Sequence, residues 1–503
     1  MWSKIWRVSS LKYIAAFLLP FILIMFINHR LDNDAWDVLA QGRYIAENGV
    51  YYTDVLSMHE GLNITVQNYA FSVLFYLIFS AFGAPGIYAV MLVLNFLVCY
   101  LIYKICMLIS DKNVNLSLLL MVITDFVLAL GFVTTRAQMV SYVIFLGLIY
   151  ILELYVKTDK TKYLWWLPLL SFLQINLHAS LWWMLILVLL VYVIDSIKKP
   201  KLHLQGYRTG PLIIAGVAMV LFGLINPYGV NMITFIFKSY GDTRFHDLII
   251  ELHPFSPFRN YFSIFTYFSI VGVLVSYIFR GEKKVRIRYL LMFFGFLALG
   301  LNTIKGMSQF ILTMFFPLAL LYKDVKIERV IDAKLGRDAV VIWSGAIILL
   351  SFIVACPVVV GQVKNYPDEA FAKAFDVVDD DVSEGDKGAL KVYATGYNDG
   401  GYAEYRGYKP YIDPRGEVFL KKNNGKENIL YEWIDFRNGK VKVSDFLKKY
   451  NFDYILVRND RDPFYDLENE NYEMIFKSEE EGVEVFKRVG DLEDLGIEAG
   501  VNV

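Results

Sequence analysis

Long apolar stretches separated by short polar links occupy most of the chain up to about residue 361. Runs near the length that crosses about 30 Å of hydrocarbon lie at roughly 11–28, 86–109, 115–133, 138–156, 163–177, 179–197, 210–226, 261–279, 288–304, 306–322 and 338–361. They predict about eleven spanning helices. A shorter run, 68–82, sits between a long polar loop and Gly83-Ala84-Pro85-Gly86. From Trp36 to Ile45, apolar or aromatic residues stand at Trp36, Leu39, Ala40, Tyr44 and Ile45, the spacing of an amphipathic helix lying on a membrane. Beyond residue 361 the pattern is that of a soluble domain. It predicts a helix over 367–378, a strand over 390–394, a turn-rich stretch over 396–402, a helix over 440–450 and strands over 454–457 and 483–486. The predicted fold class is a polytopic α-helical membrane protein, residues 1–361, carrying a C-terminal α/β domain, residues 362–503.

Composition narrows this without changing it. Of 503 residues, 56% are hydrophobic, 16% aromatic and only 20% charged, with three cysteines. Disorder, collagen-like repeats and a disulfide scaffold are excluded. Nothing calls for a nucleic-acid partner. Cys99, Cys106 and Cys356 lie in apolar runs and read as small hydrophobes. The formal net charge of −1 conceals a division: from Gln362 onward there are 31 acidic and 20 basic residues, a net −11, against +10 for the rest.

Charge also assigns the two sides of the membrane. The links holding Lys157/Lys160/Lys162, Lys198/Lys199/Lys201/Arg208, Arg280/Lys283/Lys284/Arg286/Arg288 and Lys323/Lys326/Arg329/Lys334/Arg337 are basic, as is the start with Lys4, Arg7 and Lys12. All fall on the cytoplasmic side if 68–82 does not cross, so that run reads as a juxtamembrane helix, interfacial or re-entrant, in the first outer loop. Residues 1–28 resemble a signal peptide in their basic start and apolar middle, but lack a small-residue cleavage site and read as a retained span. The N-terminus is expected in the cytoplasm and the acidic domain outside it.

With that sidedness the polar residues near helix ends collect at the outer surface. Asp32-Asn33-Asp34 follows the first span; carboxylates two apart could hold a divalent cation or act as a general base, and equally could be a solvated helix end. Arg136 and Gln138 lie between two apolar runs, where an arginine could fork onto a lipid phosphate or simply snorkel. Asn176 and His178 interrupt an otherwise apolar stretch. Asn226-Pro227-Tyr228-Gly229 signals a turn ahead of a loop with His246, Asp247, Glu251 and His253, which could supply part of a metal or acid/base site. Lys305 and Gln309 sit in a short link, where the cation could meet a phosphate or anchor a hairpin. Tyr397, Tyr402, Tyr405, Tyr408 and Tyr411 could stack on sugar rings or fill a small core.

In order and sidedness these motifs resemble the GT-C superfamily of membrane glycosyltransferases, which use polyprenyl-phosphate-linked sugars, in particular the aminoarabinose transferases, the protein O-mannosyltransferases and an uncharacterised bacterial branch. The resemblance rests on Asp32-Asn33-Asp34-Ala35-Trp36 with Leu39-Ala40-Gln41-Gly42-Arg43, the helix ending at Phe82-Gly83, Arg136-Ala137-Gln138, Asn176-Leu177-His178 and Asn226-Pro227-Tyr228-Gly229. Asp399-Gly400-Gly401-Tyr402 and Ile412-Asp413-Pro414-Arg415 complete it. It covers most of the chain. Ala137 stands where proline is common in bacterial relatives, and Lys305 where arginine is more usual.

The resemblance implies a multi-pass plasma-membrane enzyme that moves a sugar from a polyprenyl-phosphate donor to a lipid, glycan or protein acceptor of the envelope, inverting the anomeric centre. It implies Asp32 as the catalytic base with Asp34 as second candidate, and Arg136 and Lys305 on the donor phosphate; from their positions, Gln138 is read as a further phosphate contact and Asn176, His178 and Glu251 as substrate contacts. A divalent cation, if present, would sit on Asp32, Asp34 or Glu251. The competing expectation is a transporter or a non-catalytic assembly factor for envelope polysaccharide. A carrier calls for ionisable groups deep in spans and for repeats; Asp125 is the clearest such acid, and no repeat is evident.

Overall fold

The computed structural model describes residues 13, 16–20, 24, 31, 34–129, 131–197, 207–240, 242–255, 270–276, 278, 286–325, 367–458, 463–464, 467 and 471–489. The run expected at 338–361 lies outside these residues, and those at 11–28 and 261–279 are described only in part.

The helices of the first part are α1 (Asp34–Asn48), α2 (Tyr69–Ile109), α3 (Val114–Ala129), α4 (Gln138–Thr158), α5 (Trp166–Leu177) and α6 (Trp182–Ser196). After them come α7 (Thr209–Gly223), α8 (Val230–Tyr240), α9 (Thr243–Leu248), α10 (Ile287–Asn302), α11 (Met307–Thr313) and α12 (Phe316–Leu321). Three described helical stretches, Tyr69–Ile109, Gln138–Thr158 and Ala179–Ser196, are long and apolar enough to cross a membrane, and four shorter apolar helices accompany them. The chain is a membrane protein on this evidence. α2 is two helices in one: Gly83 takes φ 62° and ψ −160°, a conformation open to glycine, and Pro85 follows. The short apolar run that ends at Phe82 is thus set off from the long one after it.

The chain divides into two compact units. One comprises Met1–His29, Ala84–Thr234 and His246–Val363; the other comprises Arg30–Gly83, Phe235–Phe245 and Lys364–Val503. The stretch Arg30–Gly83 therefore clusters with the C-terminal segment.

In the membrane unit the core is aliphatic and aromatic, with Met121, Leu148, Tyr192, Phe293 and Phe310 fully buried. One charged knot lies within it. Arg288 donates to Glu153 at 2.8 Å and to Asp195 at 2.9 Å, while the Tyr192 and Tyr289 hydroxyls donate to Glu153 at 2.7 and 3.0 Å. Arg288, counted by sequence among the basic cytoplasmic links, is instead a buried partner that ties α4, α6 and α10 together. Loss of one member of such a knot strands the others without a counter-charge.

In the second unit, α13 (Glu369–Asp381) starts at Asp368, whose carboxylate accepts the Phe371 amide at 2.9 Å as an N-cap. It is followed by β1 (Lys391–Ala394), α14 (Asp399–Tyr405), β2 (Lys409–Pro410), α15 (Lys421–Asn424), α16 (Ile429–Arg437), α17 (Val443–Tyr450), β3 (Tyr454–Arg458), β4 (Tyr472–Ser478) and β5 (Val483–Arg488). The sheet order is β2-β1-β3-β5-β4, with β1 parallel to β2 and β3, and the β4–β5 hairpin antiparallel. Helical crossovers between the parallel strands make this the expected α/β arrangement.

One expectation changes. The stretch read as turn-rich at 396–402 starts α14 at Asp399, because its glycines answer to packing: a Cβ on Gly400 would lie 1.9 Å from the Ile412 carbonyl oxygen. Of the two readings of the tyrosines, core filling fits three: Tyr402, Tyr408 and Tyr411 are buried, and Tyr402 and Tyr408 pack with Phe371, Phe375, Val392 and Leu456 in the domain core, while Tyr397 and Tyr405 are half-buried.

Candidate functional site

Two polar groupings stand out, one in each unit. In the membrane unit, residues 251–255 run beside the turn after α10. The Lys305 amide donates to the Glu251 carbonyl at 2.9 Å, Ile304 N to His253 O at 3.0 Å and Phe255 N to Leu301 O at 3.2 Å. This brings Glu251 and Lys305 to one place. Arg136, just before α4, donates through Nη1 to Glu251 Oε1 at 2.7 Å, and both side chains keep contact with solvent. Gln138 Nε2 donates to Ser308 Oγ at 3.3 Å, and Ser308 Oγ donates to the Lys305 carbonyl at 3.0 Å.

His178 adjoins the same group. Its ring nitrogens meet Ser141 Oγ at 2.7 Å and Ser180 Oγ at 2.8 Å, and Gln174 donates to Ser141 Oγ at 2.9 Å and to the His178 carbonyl at 2.6 Å. Burial, reinforced by the Lys305 cation, pushes the imidazole down to about 3. It is therefore neutral and fixed in orientation by two hydroxyls. Five of the sequence-derived residues, Arg136, Gln138, His178, Glu251 and Lys305, thus come together. Asn176 does not join them through its amide, which donates to the Phe172 and Ile225 carbonyls at 2.7 and 3.0 Å. Asn226 builds its own turn, donating to Gly223 O and Gly229 O while accepting from Tyr228 N at 2.9 Å. Asp125 is buried in α3, accepting from Asn95 Nδ2 at 2.9 Å and from the Cys99 thiol at 3.1 Å.

In the second unit, Asp32 lies outside the described residues, and Asp34 is the half-buried first residue of α1. One turn on, Asp37 is buried, with both carboxylate oxygens accepting from Gln41 Nε2 at 2.8 Å. It belongs to a cluster that sequence reasoning did not find. Arg415 donates through Nη1 to Asp54 Oδ1 at 2.7 Å, through Nη2 to Glu404 Oε1 at 2.6 Å and to Asp413 Oδ2 at 2.7 Å, and through Nε to Asp413 Oδ1 at 2.9 Å. Asp37 Oδ1 lies 3.5 Å from Arg415 Nε. Glycines allow this approach: a Cβ on Gly42 would sit 2.0 Å from the Ser72 carbonyl oxygen, and one on Gly401 would reach the Asp37 backbone and Pro414 at 3.2 Å.

The four carboxyls are not equivalent. Burial pushes Asp37 up to about 8 and Glu404 well above the usual carboxylate range, even though Arg415 pulls both down. Burial also opposes ionisation of Asp54. There the Arg415 cation and the hydrogen bonds from Ser57 outweigh it, and Asp54 ends below its ordinary value. Asp34 adds negative charge beside Asp37 and Tyr397, raising both. Asp34 and Glu251, two of the three candidate metal ligands, lie in different units.

No family model matches the sequence, and no curated protein does. Solved structures do match. The chain is similar to the Archaeoglobus fulgidus oligosaccharyltransferase tethered to an acceptor peptide containing the NVT sequon, at 11% identity and a TM-score of 0.60, over 90% of this chain and 70% of that one. It is also similar to ArnT from Cupriavidus metallidurans bound to undecaprenyl phosphate, at 11% identity and a TM-score of 0.54, over 96% of this chain and 98% of that one. Both are GT-C glycosyltransferases, and this chain shares their fold.

Proposed function

We propose that the protein is a membrane glycosyltransferase that moves a sugar from a polyprenyl-phosphate donor to an envelope acceptor at the outer face of the plasma membrane, with inversion at C1. The observation that carries this reading is the convergence of Arg136, Gln138, His178, Glu251 and Lys305 in the membrane unit. A phosphate monoester or diester needs cations and neutral donors, and the group offers both. Arg136 supplies a guanidinium fork, Lys305 a second positive charge, and Gln138 an amide donor. Glu251 holds the Arg136 guanidinium in place when no anion is bound. His178, kept neutral by burial, adds no charge and stiffens the wall. The undecaprenyl phosphate bound by ArnT, on a similar fold, supports a donor of this class.

In the proposed step, the acceptor hydroxyl oxygen forms a bond to C1 and the bond from C1 to the phosphate oxygen breaks. The acceptor proton passes to Asp32, with Asp34 as the alternative base. Polyprenyl phosphate leaves with the bonding pair, its charge stabilised by Arg136 and Lys305. A positioned general base contributes about 10²–10⁴-fold. Electrostatic stabilisation of the leaving group is worth about 3–4 kcal/mol per well-placed donor.

Binding of undecaprenyl phosphate to the purified protein in detergent, read by native mass spectrometry, tests the donor site. Arg136→Gln and Lys305→Gln should each weaken binding at least tenfold, and Glu251→Gln should leave it unchanged or tighten it. Equal binding by the Arg136→Gln/Lys305→Gln double variant and the wild type would overturn the assignment.

A further inference from the structure

The cluster around Arg415 holds more negative charge than it can balance. Asp37, Asp54, Glu404 and Asp413 are each at most 6% exposed, and Arg415 is the one cation they share among the described residues. Fully ionised, the group would carry three unbalanced negative charges away from water, which costs several kcal/mol per ion unless compensated. Asp54 is well supplied, accepting from Arg415, from Ser57 Oγ at 2.5 Å and from Ser57 N at 3.1 Å. Asp413 accepts from Arg415 N, Nε and Nη2, and Asp37 accepts from Gln41 Nε2 on both oxygens, whereas Glu404 accepts from Arg415 through Oε1. Asp37, Glu404 and Asp413 each offer a carboxylate oxygen, and these oxygens lie within 4.8 Å of one another. Independently of that grouping, Glu404 Oε2 is buried with no hydrogen-bond partner among the described residues, while its Oε1 already accepts from Arg415.

We infer that Asp37, Glu404 and Asp413 form a binding site for one hard divalent cation, Ca²⁺ first and Mg²⁺ or Mn²⁺ as alternatives. The ligand set is all oxygen, with no thiol or imidazole to select zinc. Two oxygens on opposite sides of a bound Ca²⁺ stand about 4.6–5.2 Å apart and neighbouring ones closer, so three oxygens within 4.8 Å fit one coordination sphere. A dication would reduce the excess of three negative charges to one and would give Glu404 Oε2 its missing partner. It would also join Asp37 on α1 to Glu404 on α14 and to Asp413 after β2, and so lock the first outer loop onto the C-terminal domain inside one compact unit. None of its three ligands is among Asp32, Asp34 and Glu251, and the inference does not rest on glycosyl transfer.

The test uses the full-length protein in detergent micelles, stripped with EDTA and exchanged into metal-free buffer. Titration with CaCl₂, MgCl₂ and MnCl₂ separately should give a saturable rise in melting temperature with at least one of them. Elemental analysis after gel filtration should find about one such ion per chain. Amide exchange in 34–41 and 399–416 should slow at least tenfold on saturation. Asp37→Asn keeps the shape and removes one buried carboxyl from an over-acidic cluster, so in EDTA it should melt at or above the wild type and should lose the response to the cation. Three results would each overturn the site: absence of bound ion with a melting temperature indifferent to all three cations, a response in Asp37→Asn equal to that of the wild type, or a cation response that leaves exchange in 34–41 and 399–416 unchanged.

Discussion

Replacement of Arg415 by methionine should loosen the second unit more than any other single change of similar volume. The guanidinium makes four side-chain hydrogen bonds of 2.6–2.9 Å to Asp54, Glu404 and Asp413. Methionine fills much of the space and makes none of them. Removal of one partner from a buried ion pair costs about 3–5 kcal/mol, because the remaining charge is stranded. Here three carboxylates are stranded together, so the upper part of that range applies. At about 1.4 kcal/mol per tenfold, the opening equilibrium should rise by roughly a thousandfold to a few thousandfold. Hydrogen-exchange mass spectrometry in micelles containing EDTA, followed on peptides covering 52–60 and 399–416, reads this directly. Arg415→Lys keeps the charge but not the fork, and should fall between wild type and methionine. Exchange within tenfold of wild type in both peptides of Arg415→Met would refute the reasoning, since the carboxylates would then be stable without their common partner.

Further expectations concern packing, pH and the buried acid of the membrane unit. Gly42→Ala places a methyl 2.0 Å from the Ser72 carbonyl oxygen, a backbone atom that cannot rotate away; a loss of about 1–3 kcal/mol is expected from overpacking and is measurable by thermal unfolding. His59 meets the Tyr411 carbonyl at 2.8 Å, and burial lowers its pKa below the ordinary 6.5 despite Asp54, Asp413 and Glu427 nearby. Because the unfolded chain takes up the proton first, this contribution is intact above pH 6.5 and is lost as pH falls below it. The stability of wild type relative to His59→Gln should therefore drop below pH 6.5 by at most about 1.4 kcal/mol per pH unit, and a difference flat from pH 7.5 to 5 would exclude it. Asp125→Asn retains an acceptor for Asn95 and should leave donor-lipid binding and sugar transfer within twofold of wild type. A tenfold loss of either would refute this and give the buried acid a part in the reaction.

Much of the architecture is written in local pattern. Apolar length marks the membrane helices, Gly83-Ala84-Pro85 marks the break in α2, and short runs of β-branched, aromatic and aliphatic residues mark β1 and β3. The grouping of Arg136 with Glu251 and Lys305 is reached by a second route, since charge in the links places those residues on one side and a single side makes their meeting plausible. Long-range partners leave no such trace. Arg415 and Asp54 are 361 residues apart, and nothing near either announces the other. The one available hint was that Asp37 and Gln41 stand four apart on a helix whose neighbours Val38 and Leu39 are apolar, which gives an acid an internal partner and a buried face. Asp37 reads instead as the tail of an acidic run. Gly400-Gly401 reads as a turn because glycine serves both turns and close approach, and local sequence does not separate the two uses. Arg288 reads as an inner-surface charge for the same reason: position predicts sidedness, while burial depends on Glu153 and Asp195 from other helices.

Turnover tests the account's central claim most directly. Purified protein in proteoliposomes would be supplied with radiolabelled polyprenyl-phosphate hexoses and pentoses and an envelope extract as acceptor, and the release of free polyprenyl phosphate together with labelled product would be followed. The account predicts release and label transfer in equal amounts by the wild type. It predicts at least a hundredfold loss in Asp32→Asn or Asp34→Asn with donor binding retained, and loss of both binding and transfer in the Arg136→Gln/Lys305→Gln double variant. Undiminished transfer by all of these variants, or none by a wild type that binds every donor, would contradict it.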